Sequence, residues 1–260
     1  MKNYFKKNWL NFTLGALSLI AMWLVWVIAT KTVKNEYVVP GVKQTFSSLF
    51  ALFGEKIFWL ALLSSLKKVL YAFLISFVLA LAVSLLCKVF KPLGAFLKPM
   101  LTTVRTLPTM AVLVLILIYT TKTVAPVIVA ILVLFPMIYA QFTVAFDGID
   151  DGVISAVKAY KLSKTQAFFK VYLPMVAPSV VSHTGSNLSF GIKLIISAEV
   201  MARTYTSIGG MMQAANGVFD VSRLAALTIV SVVLGLVVEL AFYLITVKAF
   251  KWQRAEVENG

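Results

Sequence analysis

Six candidate membrane-crossing runs, the first near-continuously apolar, constrain this chain more than any other feature. They cover 10–30, 72–87, 104–119, 124–146, 179–202 and 224–250. A bilayer core takes roughly 20 helical residues, so most of these runs approach a membrane-crossing length. Hydrophobic residues make up 60% of the 260 and charged residues only 13%, against roughly 45–50% and about 25% in soluble domains. A water-soluble core has no place for that surplus. The second run extends upstream through Lys67 and Lys68, and the third is short. Thr120-Thr121-Lys122-Thr123 reads as a tight polar turn between the third and fourth. The expected fold is an all-α polytopic membrane protein of six transmembrane helices, forming one domain over 1–260. Lys2, Lys6 and Lys7 precede the first run as they would in a signal peptide. The run is nevertheless about 20 residues long and flanked by Trp9, Trp23 and Trp26, so a retained span is expected.

Basic residues number 24 and acidic residues 10, a net charge of +14. In a soluble chain that excess would suggest a nucleic-acid partner. Here the cations lie mostly between apolar runs, where membrane orientation accounts for them, and no nucleic-acid partner is expected. Six spans place both termini on one side. The N-terminus, 88–105, 147–178 and the C-terminal tail (Lys251 and Arg254 included) hold fourteen lysines and arginines against seven in the opposite segments. Both termini are therefore expected in the cytoplasm. The first external loop, 31–58, carries Val39-Pro40-Gly41 and then an amphipathic stretch suited to a membrane surface. Cys87 and His183 are the single cysteine and histidine, so disulfide frameworks and Cys/His metal clusters are excluded by count. An integral-membrane enzyme would need clustered His, Asp or Glu at membrane depth. The apolar runs offer one histidine and two well-separated acids, Glu199 and Glu239.

The most patterned polar segment is 147–178. Asp147, Asp150 and Asp151 gather where a helix would start, since carboxylates favour a helix N-terminus. Ile154, Val157, Leu162, Phe168, Phe169 and Val171 then alternate with Lys158, Lys161, Lys164 and Lys170. The pattern predicts two short amphipathic helices, broken near Leu162-Ser163 and ending at Leu173-Pro174. Such a hairpin either rests on the bilayer or docks a soluble partner.

These residues resemble the cytoplasmic signature of the permeases of binding-protein-dependent ABC importers, in which Glu-Ala-Ala is followed by Gly and then Ile-x-Leu-Pro. Val171-Tyr172-Leu173-Pro174 matches the last block, Ser155-Ala156-Val157 falls on Glu-Ala-Ala, and Lys161 falls on the Gly. Ser155 and Lys161 depart from the usual residues. Thr103-Val104-Arg105-Thr106-Leu107-Pro108, Ser197-Ala198-Glu199-Val200-Met201 and Ser207-Ile208-Gly209-Gly210 resemble further family motifs, in family order. Together they look like the sulfonate, taurine, nitrate and thiamine-precursor branch. The resemblance implies a type I importer core, a dimer of ABC ATPases carrying the ATP and magnesium, an external solute-binding protein and a homodimer of permease chains. It also implies that Ser155, Ala156, Val157, Lys161, Val171, Leu173 and Pro174 meet the ATPase. The sequence has no Gly-x-x-x-x-Gly-Lys-[Ser/Thr] phosphate loop, so no P-loop nucleotide site is expected in this chain. A non-transporting membrane scaffold is the alternative.

Set out at 100° per residue, Ser182, Ser186, Ser189, Lys193 and Ser197 fall within about 80° of arc. A serine stripe is either a close-packed helix seam or the lining of a translocation path or dimer interface, the reading preferred here. Lys193 sits near mid-span, where a lysine costs about 2.5–3.5 kcal/mol on insertion scales. Glu239 is either its ion-pair partner or independent of it. Glu199 falls on the opposite face and is expected to pair within the protein or at the external rim. His183, one turn from Asn187, reads as a hydrogen-bonded structural residue and Cys87 as inert packing.

Overall fold

The structure is a computed structural model that describes residues 2–249, and every regular element in them is helical. In chain order these are α1 (Lys2–Val33), α2 (Val42–Gly54), α3 (Lys56–Val89), α4 (Lys91–Thr106), α5 (Thr109–Tyr119) and α6 (Ala125–Asp147). There follow α7 (Asp151–Ala159), α8 (Lys164–Ala167), a π turn (Phe168–Tyr172), α9 (Leu173–Ala202), α10 (Ile208–Gly217) and α11 (Val221–Ala249).

The centre of the bundle is α3, α6, α9 and α11. Ala61, Ser65, Ala72, Ser76, Ala80 and Ser84 are all buried on one side of α3. Their small side chains at near-helical spacing let neighbouring backbones approach, which is how helices associate where the solvent is itself apolar. α6 answers with Ala130, Leu134, Ile138, Phe142 and Phe146, four residues apart and buried. Phe77 of α3 meets Phe142 edge-on at 5.2 Å between ring centroids, a favoured aromatic geometry. Gly185 is what brings α9 onto α11: a Cβ there would lie 2.8 Å from Phe242 Cβ and 3.2 Å from the Glu239 carbonyl oxygen. α1 stands at the edge, held to the α1–α2 connection by the Trp26 indole N–H, which donates to the Pro40 carbonyl at 3.2 Å. The amphipathic stretch expected in 31–58 is α2. It packs on α11, and Arg223 clamps the α2–α3 junction through two bonds to the Glu55 carboxylate, of 2.8 and 2.6 Å.

Among the described residues four helices are long and apolar enough to cross a membrane: α1 (through Thr13–Val33), α3, α6 and α11. The expected third span, 104–119, is not one helix. It is broken between α4 and α5, which meet at 95°. The cause is local: Pro108 pushes Leu107 out of the helical region, to φ −64° and ψ 133°. α5 alone, with 11 residues, rises only about 16 Å, roughly half the bilayer core. The second span also differs, because α3 starts at Lys56 and runs for 34 residues, putting Lys67 and Lys68 inside the helix rather than at its edge. α9 has 30 residues, enough to cross, but its serines, Lys193 and Glu199 keep it below the apolarity of the other four. Phe250, the expected end of the sixth span, and the tail residues Lys251 and Arg254 lie outside the described residues.

Candidate functional site

α9 presents two chemically different faces. Val180, Ile192, Ile195 and Ile196 are buried in the bundle, whereas Ser182, Ser186, Phe190, Lys193 and Ser197 follow one another along an exposed face. Ser189 departs from the predicted stripe. It is buried against Gly235 of α11, where a Cβ would come within 2.9 Å of its hydroxyl oxygen, so it belongs to the packing seam. Lys193 and Ser197, with Thr109 and Met110 of α5 and Val129 of α6, line a cavity of about 210 Å³.

The pairing of Lys193 with Glu239, one of the two alternatives left open by the sequence, is not formed. Glu239 accepts a hydrogen bond from the Ser186 hydroxyl at 3.1 Å, and among the described residues Lys193 is in no ion pair. The reason is axial: Glu239 sits beside Gly185, eight residues before Lys193 and so about 12 Å away along α9. His183 Nδ1 lies 2.7 Å from the Ser179 carbonyl oxygen. Asn187 does not join it; its amide exchanges two hydrogen bonds with Gln141 of α6, of 3.0 and 2.8 Å.

The other intramembrane acid is the centre of a network that sequence reasoning left without a partner. Glu199 is wholly buried. One carboxylate oxygen lies 2.6 Å from Lys68 Nζ. The other accepts from the Ser65 hydroxyl at 2.7 Å and the Gly209 amide at 3.2 Å. Ser65 Oγ in turn accepts from the Ile208 amide at 3.0 Å, and Ser207 caps α10 by accepting from the Gly210 amide at 2.9 Å. A carboxylate against the free amides of a helix N-terminus is favoured by the local dipole. Gly209 is required for that approach, since a Cβ there would stand 2.4 Å from Glu199 Cβ. The network joins α3, α9 and α10.

In 147–178 the chain forms two short helices through specific caps. The Asp150 carboxylate accepts from the Gly152 amide at 2.7 Å and starts α7. Asp147 instead ends α6 and pairs with Lys88 at 2.6 Å. Ser155 and Ala156 are exposed and Val157 is half-buried; the Ser155 hydroxyl donates back to the Asp151 carbonyl at 2.9 Å. α7 ends in a Schellman motif: the Lys161 amide donates to the Lys158 carbonyl and the Leu162 amide to the Val157 carbonyl, at 3.0 and 3.3 Å. Ser163 and Gln166 then cap α8 reciprocally, at 3.3 and 3.1 Å, as a capping box. The segment does not end at Leu173-Pro174. Val171 and Leu173, both half-buried, lead through the π turn without interruption into α9. The wider turn just before Pro174 accommodates a residue with no N–H to donate one turn back.

The family model for the inner-membrane component of binding-protein-dependent transport systems matches residues 72–250. The chain belongs to this family. It is the permease subunit of an ABC importer, a multi-pass inner-membrane protein. Solved structures agree in fold. A chain of the inward-facing MetNI methionine ABC transporter superposes with a TM-score of 0.62 at 20% identity, covering 74% of this permease and 97% of that chain. A chain of an amino acid ABC transporter crystallised with histidines gives 0.57 at 15% identity, covering 73% and 91%. No curated protein matches significantly. The family match begins at Ala72, so Ser65 and Lys68 of the permease lie outside it.

Lys161, expected to fall on a family glycine, adopts a backbone conformation that favours glycine. Its φ is 50°, the left-handed conformation that L side chains adopt only at a cost of about 1–2 kcal/mol. Lys161→Gly is expected to stabilise the end of α7 by roughly 0.5–1 kcal/mol, after the entropy glycine adds to the unfolded chain. Hydrogen exchange at the Lys161 and Leu162 amides should slow severalfold; unchanged or faster exchange would contradict the strain.

Proposed function

We propose that the exposed polar face of α9 lines the translocation path, and that two copies of the permease meet across it. The observation that carries this reading is Lys193, an intramembrane lysine without an ion-pair partner among the described residues, on a face shared with Ser186 and Ser197 and beside a cavity. Charged residues at membrane depth belong to bundle interiors or aqueous paths rather than lipid. A solute-binding protein would deliver the solute from outside. A separate pair of ABC ATPases would supply the energy through 155–174, where Ser155, Ala156 and Lys161 are exposed and Val171, Leu173 and Pro174 lead mechanically into α9. In this arrangement α9 and the bent α4–α5 unit complete six crossings, both termini are cytoplasmic, and the motif order favours the sulfonate, taurine, nitrate and thiamine-precursor branch.

Cysteine labelling tests the path. With Cys87 replaced by serine, cysteines at Ser182, Ser186 and Ser197 should react with a hydrophilic maleimide in the assembled transporter, while cysteines at Val78 and Val237 should not. Equal labelling of both groups, or none along α9, would remove the path. Single cysteines across 155–165 should crosslink to the co-purifying ATPase, with a yield that changes on adding ATP. A bound ATPase with no crosslink anywhere in that window would remove the coupling assignment.

A further inference from the structure

A second cavity, of about 760 Å³, opens where α3 ends and α4 begins, and it shares no lining residue with the cavity at Lys193. Its floor is α4. Lys91, Lys98 and Arg105 recur every seven residues on this helix, so they share one face, and all three line the cavity together with Lys88 from the end of α3. The single carboxylate on the lining, Asp147, is already paired with Lys88 at 2.6 Å. Arg105 is held by the Pro136 carbonyl. Among the described residues Lys91 and Lys98 form no ion pair. The cavity therefore carries an uncompensated positive charge.

Its other walls are mostly apolar. Val144 of α6, 72% exposed, lines it with Leu101, Ala140 and Ile154, and the hydroxyls of Ser84, Thr102, Tyr139 and Thr143 interrupt that apolar surface. The opposite side of α4 is apolar and open too, with Phe96 at 66% and Met100 at 53% exposure, and no residue of α4 is buried. A basic amphipathic helix at the ends of membrane spans has the chemistry of a helix lying in the bilayer interface. An occupant must match both the row of cations along α4 and the apolar part of the wall, in a space far larger than a lone phosphate needs. Basic pockets between the cytoplasmic ends of membrane helices hold anionic lipid headgroups by this combination.

We propose that this cleft binds an anionic phospholipid, its phosphate between Lys91 and Lys98 and its acyl chains along Val144. The assignment rests on the proposed orientation, which places 88–105 and 147–178 on the cytoplasmic side, and does not need Lys193 to line the path. The full-length permease, purified in mild detergent, would be titrated with phosphatidylglycerol, phosphatidylcholine and inorganic phosphate, and followed by native mass spectrometry and thermal unfolding. Phosphatidylglycerol should bind saturably and raise the unfolding temperature, and phosphatidylcholine should not. Lys91→Gln with Lys98→Gln should weaken phosphatidylglycerol about thirtyfold, at about fivefold per lysine. The control pair Lys31→Gln with Lys43→Gln should leave it unchanged. Equal binding of phosphatidylcholine, or undiminished phosphatidylglycerol binding by the Lys91/Lys98 variant, would overturn the site. Displacement of the lipid by millimolar inorganic phosphate would likewise overturn it in favour of a free-anion site.

Discussion

Glu199→Ala is expected to destabilise the permease by about 3–5 kcal/mol, the cost of removing one partner from a buried ion pair. The substitution orphans three donors at once: the Lys68 ammonium at 2.6 Å, the Ser65 hydroxyl at 2.7 Å and the Gly209 amide at 3.2 Å. Lys68, only 6% exposed, then has no water to replace the carboxylate. In detergent the unfolding midpoint should fall by on the order of 10 °C. A double replacement separates the charge from the hydrogen bonds. Glu199→Gln keeps an oxygen for Ser65 and Gly209, and Lys68→Met removes the orphaned cation. Together they should recover much of what either single change loses, because a buried pair replaced on both sides is often neutral. Strict additivity of the two losses would mean that the two side chains do not interact as described.

Lys193→Met should leave the permease folded and bound to its ATPase while cutting uptake at least tenfold. The sign of the stability change is the informative part. Among the described residues Lys193 is in no ion pair, so removing it relieves an insertion cost of about 2.5–3.5 kcal/mol and orphans no buried carboxylate there. The unfolding midpoint should hold or rise. A structural lysine would give the reverse, a lower midpoint. Exchanging the charges (Lys193→Glu with Glu239→Lys) should not restore uptake, since Glu239 lies about 12 Å away along α9 and bonds to Ser186 instead. Rescue by that exchange, or full uptake by Lys193→Met, would show that the ammonium has no part in the path.

The membrane class, α6 and α11, the helical pair in 147–178 and the family to which the chain belongs were all legible in the sequence. Each depends on local properties: the summed apolarity of about 20 residues, the acids that open α7, or motifs whose order along the chain is itself the signal. The break at Leu107-Pro108 was not anticipated: 104–119 was expected to be one span, although Pro108 restricts its neighbour wherever it occurs. Which charge meets which was not legible. Lys68 and Glu199 are 131 residues apart and become neighbours only because small residues along α3 let it pack against α9. Glu239 and Lys193 look equally matched in sequence and fail to meet because the contact of Gly185 with α11 fixes the axial register. The same packing divided the serine stripe, placing Ser189 inside the seam and leaving Ser182, Ser186 and Ser197 outside it. A helical wheel fixes angles around one helix; only the tertiary structure decides which neighbour occupies each angle and at what height.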